Sequence, residues 1–307
     1  MSFDERARLP TITPDGIVAC VEIAPSTTIP IPALDGTKLK KPERVPIFLY
    51  ALSAADQGPP EDTNVILHIH GGGNMSGHPT HERFVDLYSG ILHALSSMSE
   101  GAGHYVVAAP CYRLSTVLEN SFPAALQDLA AAYDYLIGKG YKASNITISG
   151  DSAGGNHALV LTYLISQSDR TLPNGIITIA PAAIQVYTNL SEHARAQANV
   201  DIFPLSLYQF ASTMYMRDSG LSPEDGLISG AYIPFTNSWP KTLIMVGTGD
   251  QLIDASRELE KNLKGLETPM ELVEYDGVPH GWWVFPRIFP EENQDAARRI
   301  ARFILGS

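Results

Sequence analysis

The stretch Ser149-Gly150-Asp151-Ser152-Ala153-Gly154-Gly155 constrains this chain more than any other. It satisfies G-x-S-x-G, follows the apolar run Asn145 to Ser149, and opens a run of helical spacing from Ala153 to Gln167. A serine on so tight a strand-to-helix turn has room only among small neighbours, which Gly150 and Gly154 supply. Gly155 lets the new helix pack closely on adjacent strands. The helix N-terminus points its dipole at Ser152, favouring the negative charge that develops when a hydroxyl attacks. Strand, motif and helix together predict a nucleophile elbow rather than a chance glycine-rich turn.

Units of the same kind recur along the chain. Short strands are predicted over Ile17 to Ala24, Val45 to Ala51, Asn64 to His70, His104 to Ala109, Gly175 to Ala180, Leu243 to Gly247 and Met270 to Tyr275. Helices are predicted over Glu82 to Met98, Phe122 to Ile137, Ile253 to Leu263 and Glu291 to Leu305, with Pro123 tolerated in a first turn. Pro25, Pro30, Pro32, Asp35-Gly36 and Pro42 mark turns between the first two strands. Apolar strands alternating with amphipathic helices mean an α/β fold, with a mostly parallel central sheet flanked by helices. Between Ala183 and Pro240 the rhythm breaks. Two helices, about Thr188 to Ala198 and Leu205 to Met216, are followed by turns. That is too long for a strand connection and reads as an inserted helical cap.

Acyl transfer creates an oxyanion, which needs unobstructed backbone N–H donors. His70-Gly71-Gly72-Gly73 ends an earlier strand, and Gly72 and Gly73 are the candidate donors, with the Ala153 N–H as a third. Losing one such donor typically costs about 2.7–4 kcal/mol in the barrier. A phosphate loop would carry a following Lys-Ser/Thr, which is missing. His70 is read as an anchor of the loop.

A serine hydroxyl needs an imidazole to take its proton, and the imidazole needs a carboxylate to hold its tautomer. In this architecture the chain order is serine, acid, histidine. His157 falls in the helix after the elbow and His193 in the cap, whereas His280 lies in a loop just past a strand. His280 is therefore the candidate base. Asp250 directly follows the strand Leu243 to Gly247 and is the candidate acid. Asp254 is the runner-up, with a plainer reading as an early-helix acid, and Asp276 with Gly277 is explained by its turn.

Together these residues resemble the hormone-sensitive-lipase-like family of α/β-hydrolase esterases. HGGG at 70–73, GDSAGG at 150–155, GTGDQLID at 247–254 and PHG at 279–281 fall in that family's order, over about residues 64–305. Tyr112-Arg113-Leu114 and the segment Ser121 to Asp128 look like its middle section. The resemblance implies Ser152, Asp250 and His280 as catalytic triad, and Gly72, Gly73 and Ala153 as oxyanion donors. It also implies an N-terminal segment, 1–40, contributing to the cap, a catalytic domain over 41–182 and 241–307, and a helical cap over 183–240. Asn74 stands where relatives often carry an aromatic residue, Ser115-Thr116-Val117 replaces Ala-Pro-Glu, and Ala180-Pro181-Ala182 replaces Ser-Pro-Trp.

The expected activity is cleavage of short to medium uncharged carboxylic esters through an acyl-enzyme. An amidase, formamidase or lactonase would use the same parts. A silent small-molecule-binding relative would lack the base, which this chain retains. The cap offers Phe203, Leu205, Leu207, Tyr208, Phe210, Met214, Tyr215 and Met216, of which about half must face the core to hold it down. Asn74, Phe203, Tyr208, Tyr215 and Trp282 are the candidate substrate contacts. Arg113 and Arg287 are the cations near a motif, and both have plain structural readings.

Of the 307 residues, 44% are hydrophobic and 18% charged, with a net charge of −12. Such acidity repels nucleic acid and anionic membrane surfaces. No metal-ligand spacing surrounds Cys20 and Cys111, so neither metal nor cofactor is expected. No apolar run approaches the roughly 20 residues of a membrane span. The charged opening MSFDERARLP is unlike a secretory signal, so a cytoplasmic location is expected. The partners expected are a small-molecule ester and, at most, a second copy of the chain as a homodimer.

Overall fold

The computed structural model describes residues 3–7, 16–25 and 39–306. In chain order it contains α1 (Phe3–Arg6), β1 (Ile17–Ile23), β2 (Val45–Ala51), β3 (Thr63–Ile69), α2 (Glu82–Met98), β4 (His104–Pro110) and α3 (Ala124–Gly138). There follow β5 (Ile146–Asp151), α4 (Ala153–Ser166), β6 (Gly175–Ile179), α5 (Glu192–Ala196), α6 (Leu205–Met216), β7 (Lys241–Gly247), α7 (Ile253–Leu263), β8 (Met270–Tyr275) and α8 (Pro290–Leu305). The turns expected at Pro30, Pro32 and Asp35-Gly36 lie outside the described residues. Among those described, no helix is long and apolar enough to cross a membrane.

One sheet runs β1-β2-β4-β3-β5-β6-β7-β8. β2 is antiparallel to both its neighbours, and every pairing from β4 to β8 is parallel. Parallel strands return by crossovers, which drape helices over both faces, so these strands are apolar on both sides. Alternation along β3 shows it. Val65 and Leu67 pack with α3, α4 and α7, while Ile66 packs with α2 and α8 on the opposite face. In α2 the buried Phe84, Leu87, Tyr88, Ile91, Leu92 and Leu95 make one stripe at the helical period.

Register brings the chemistry-bearing strand ends together. Ile69 pairs with Gly150, Gly150 with Thr178, Ile179 with Met245, and Gly247 with Tyr275. The glycine run, the elbow, the Asp250 loop and the His280 loop thus all emerge at the carboxyl edge of the sheet, where open α/β sheets place their ligands. The long connection from β6 to β7 carries α5 and α6.

Two expectations are refined here. Helix α3 starts after Pro123 instead of at Phe122; the Phe122 N–H is drawn to Tyr215 O at 2.8 Å, outside the helix. The cap helix expected over 188–198 shortens to α5, with Ser191 as its N-cap accepting from the Ala194 N–H at 3.1 Å. Arg113 is structural. Its Nη2 donates to Asp128 Oδ1 at 2.8 Å, and both side chains are buried. Breaking such a pair typically costs about 3–5 kcal/mol, so Arg113 is not available to a substrate.

Candidate active site

Ser152 sits between β5 and α4 with φ of 51° and ψ of −120°. A non-glycine residue held there costs about 1–3 kcal/mol, and the surroundings over-determine it. The Ser152 N–H donates to Ile179 O at 2.9 Å, and its carbonyl accepts from the Ala182 N–H at 2.9 Å. A Cβ at Gly150 would strike Gly154 O, and one at Gly154 would strike Ile69 O. Both glycines are demanded by close backbone approach.

The Ser152 hydroxyl donates to His280 Nε2 at 2.9 Å, and His280 Nδ1–H donates to Asp250 Oδ2 at 2.8 Å. Asp250 is fully buried, and its other oxygen accepts from the Leu252 N–H at 2.7 Å. Burial disfavours the charged imidazole, but the charge and hydrogen bond of Asp250, with the charges of Asp201 and Asp151, outweigh it and raise the His280 pKa. Asp254 is elsewhere, accepting from the backbone N–H and hydroxyl of Ser191 at 2.7 and 2.6 Å. Asp276 accepts from the Thr248 hydroxyl at 3.2 Å.

Gly72 and Gly73 have φ of 117° and 61°, in the region that favours glycine. Both line the same cleft as Ser152, Ala153 and His280. Among the described residues, no protein acceptor takes the N–H of Gly72, Gly73 or Ala153. His70 holds the strand end: its Nδ1–H donates to Gly71 O at 2.8 Å, and its ring stacks on Tyr112 with centroids 4.5 Å apart. Burial lowers its pKa to about 4, so it stays neutral at pH 7.

The cleft measures about 210 Å³ and is largely apolar. Of the candidate substrate contacts, Asn74, Phe203 and Tyr208 line the cleft. Tyr215 and Trp282 do not. Tyr215 is fully buried beneath α6, edge-on to Phe122 and His157 at 5.7 and 5.4 Å. The stripe Tyr208, Ala211, Ser212, Tyr215 follows the helical period, but its last member has passed beyond the cleft into the core. Trp282 is fully buried against Tyr275 at 4.7 Å, and its neighbour Trp283 takes the cleft side. A left-handed Gly281 and a single 3-10 turn set which indole faces inward, and periodicity carries no such information.

Four residues escaped the sequence reading. Asp151 accepts from the Gly71 N–H at 2.8 Å, Trp283 Nε1–H at 3.0 Å and His68 Nε2–H at 3.2 Å. It thereby ties the glycine run, the elbow and the base loop together. Asp201, from the long β6–β7 connection, accepts from the His280 N–H at 3.2 Å and the Gln251 N–H at 2.9 Å. Gln185 and Arg83 also line the cleft. Only Asp151 carried a signal, as the variable residue within G-x-S-x-G; the partners of the others are distant in sequence.

The raised His280 pKa sets a pH expectation. The base must be neutral to accept a proton, so activity is lost as pH falls through its folded-state pKa. The acid limb of kcat/KM is expected to have its midpoint above the ordinary imidazole value of about 6.5. Asp201→Asn removes one of the raising charges and should move that midpoint down. A pH–rate profile with the limb at or below 6.5, unmoved by the substitution, contradicts this account.

A sheet that delivers such a turn at its carboxyl edge, opposite a histidine loop following its last strand, is the architecture of the α/β-hydrolases. The model of the alpha/beta hydrolase fold family Abhydrolase_3 matches residues 66–284, and the chain belongs to that family. An acetyl-hydrolase of Streptomyces hygroscopicus is 29% identical over 231 residues, covering 75% of this chain and 72% of that protein. An esterase of Acinetobacter venetianus is 27% identical over 242 residues, 78% of this chain and 74% of its own length. Among solved structures, an esterase from the bacterial hormone-sensitive lipase family superposes with a TM-score of 0.72 at 28% identity, covering 85% of this chain and 80% of that one.

Proposed function

We propose that this chain is a carboxylesterase that turns over short to medium uncharged acyl groups through an acyl-enzyme on Ser152. Ser152 Oγ attacks the scissile carbonyl carbon while His280 Nε2 takes its proton. The carbonyl oxygen gains charge and is held by the N–H groups of Gly72, Gly73 and Ala153. Asp250 keeps Nδ1 protonated and stabilises the imidazolium, which then gives its proton to the departing alkoxide. Water, deprotonated by His280, attacks the acyl-enzyme and releases the acid and free Ser152. The observation that carries this reading is the unbroken line of hydrogen bonds from Ser152 through His280 to buried Asp250, beside three unused N–H donors in one cleft. The esterase and acetyl-hydrolase relatives support the ester as substrate. We assign residues 41–182 and 241–307 to the catalytic domain and 183–240 to the cap, with 1–40 contributing to it. Free Cys20 and Cys111 suit the cytoplasmic setting assigned to it.

Chain length follows from size. Each buried CH₂ adds about 0.8 kcal/mol until the cleft is full. Phe203, Leu207, Tyr208 and Trp283 wall a cleft of about 210 Å³, and an acyl chain that outgrows those walls gains no further burial. With p-nitrophenyl esters from acetate to palmitate, kcat/KM should peak at short to medium chains and fall steeply beyond; a peak at palmitate rejects the pocket. Matched butyrate ester and butyranilide should favour the ester, and a faster anilide rejects the esterase reading.

Asn74, in place of a bulky aromatic, leaves that side open to a larger alcohol or aryl group. His157 Nε2–H donates to its Oδ1 at 2.5 Å, and its φ of 60° suits asparagine. Asn74→Trp should therefore lose turnover of bulky-alcohol esters relative to ethyl esters, and also lower the melting temperature. An unchanged ratio removes the role given to Asn74.

A further inference from the structure

Arg83 is a cation with no ion-pair partner among the described residues. It is the second residue of α2, where the helix dipole opposes a cation, so it is not there to stabilise the helix. Its guanidinium carbon lies 4.9 Å from the ring centroid of Phe84, which is itself buried and lines the cleft. Its Nε is buried and meets no acceptor, and no described carboxylate forms an ion pair with it. Yet Arg83 lines the same cleft as Ser152 and His280.

Its charge is uncompensated within the cleft. The other charged groups there are accounted for: Asp151 is occupied by Gly71, Trp283 and His68, and His280 by Asp250. An unpaired buried N–H is costly, and the protein recovers that cost only when an acceptor arrives. A guanidinium presents two parallel N–H donors that match the two oxygens of a carboxylate, and it supplies one positive charge for one negative charge. In a chain of net charge −12, an anionic ligand needs such a local cation.

We propose that Arg83 is a subsite for a carboxylate on the alcohol half of the ester, making the substrate an ester of a hydroxy acid or a carboxyphenol. This rests on the esterase reading above, in which the acyl half is uncharged; the charge is therefore carried by the leaving half. Arg83 is then a specificity residue. It contacts the leaving half of the substrate and takes no part in proton transfer.

The test compares 4-carboxyphenyl butyrate with its neutral counterpart, 4-carbamoylphenyl butyrate, in wild type, Arg83→Gln and Arg83→Lys. The kcat/KM ratio of the charged to the neutral ester is expected to fall about tenfold or more in Arg83→Gln, mostly through KM. Arg83→Lys, which keeps the charge and loses the fork, should fall between. Taking the ratio cancels any general loss from imperfect folding. A ratio that changes less than about twofold overturns the proposal. If instead mono-p-nitrophenyl glutarate gains over p-nitrophenyl pentanoate in an Arg83-dependent way, the carboxylate sits on the acyl half and the assignment is overturned. Binding of 4-butyramidobenzoate to Ser152→Ala protein, followed by calorimetry with and without Arg83→Gln, reads the subsite without turnover. Arg83-dependent binding with none of the esters hydrolysed by wild type would mean that the esterase reading fails while the subsite stands.

Discussion

Ser152→Ala is expected to end ester turnover while leaving the fold as it is. The substitution removes one hydroxyl, whose hydrogen bond is to His280 and to no element of the scaffold. The elbow itself is held by backbone bonds to Ile179 and Ala182, which alanine keeps. In a comparable serine enzyme the loss of the nucleophile costs on the order of 10⁶ in kcat, and the fall here should be of that order. A fluorophosphonate probe should label the wild type and leave Ser152→Ala unlabelled, with an unchanged melting temperature. Residual activity above a few per cent of wild type would point to a different nucleophile.

The second large effect is expected at the acid. Asp250→Asn places an amide against His280 Nδ1, which favours the wrong tautomer and withdraws the charge that stabilises the imidazolium. A loss on the order of 10⁴ in kcat is expected. Asp254→Asn should cost far less activity, because that carboxylate holds Ser191 at the start of α5, away from His280. Its effect should appear as a small drop in melting temperature instead. A reversal, with Asp254→Asn inactive and Asp250→Asn near normal, would transfer the role of acid to Asp254.

Much of the scaffold was legible because its signals are local. Phe84, Leu87, Tyr88, Ile91 and Leu95 announce α2 by their spacing alone. The same holds for α7, and for β8 with its flanking turns, all found over the residues expected. Ser152, Asp250 and His280 were legible for another reason. Each stands just beyond a strand, and a parallel sheet carries the ends of its strands to one edge.

Local signals therefore specify the layered sheet, the elbow and the residue types that meet at the strand ends. What surrounds them is fixed by how distant elements pack. Whether Trp282 or Trp283 faces the cleft depends on the left-handed Gly281 and one turn of 3-10 helix. Whether Tyr215 lines the cleft or sits below it depends on how far α6 extends past Ser152. The ties from Asp151 to Trp283, from Asp201 to His280 and from His157 to Asn74 span 132, 79 and 83 residues of chain. Arg83 reads as one more solvated helix residue until the cleft forms around it. Periodicity encodes which face of an element is apolar, a property of neighbouring residues. Which polar groups meet across a cleft is set by the packing of elements far apart in the chain, and no spacing within one element records it.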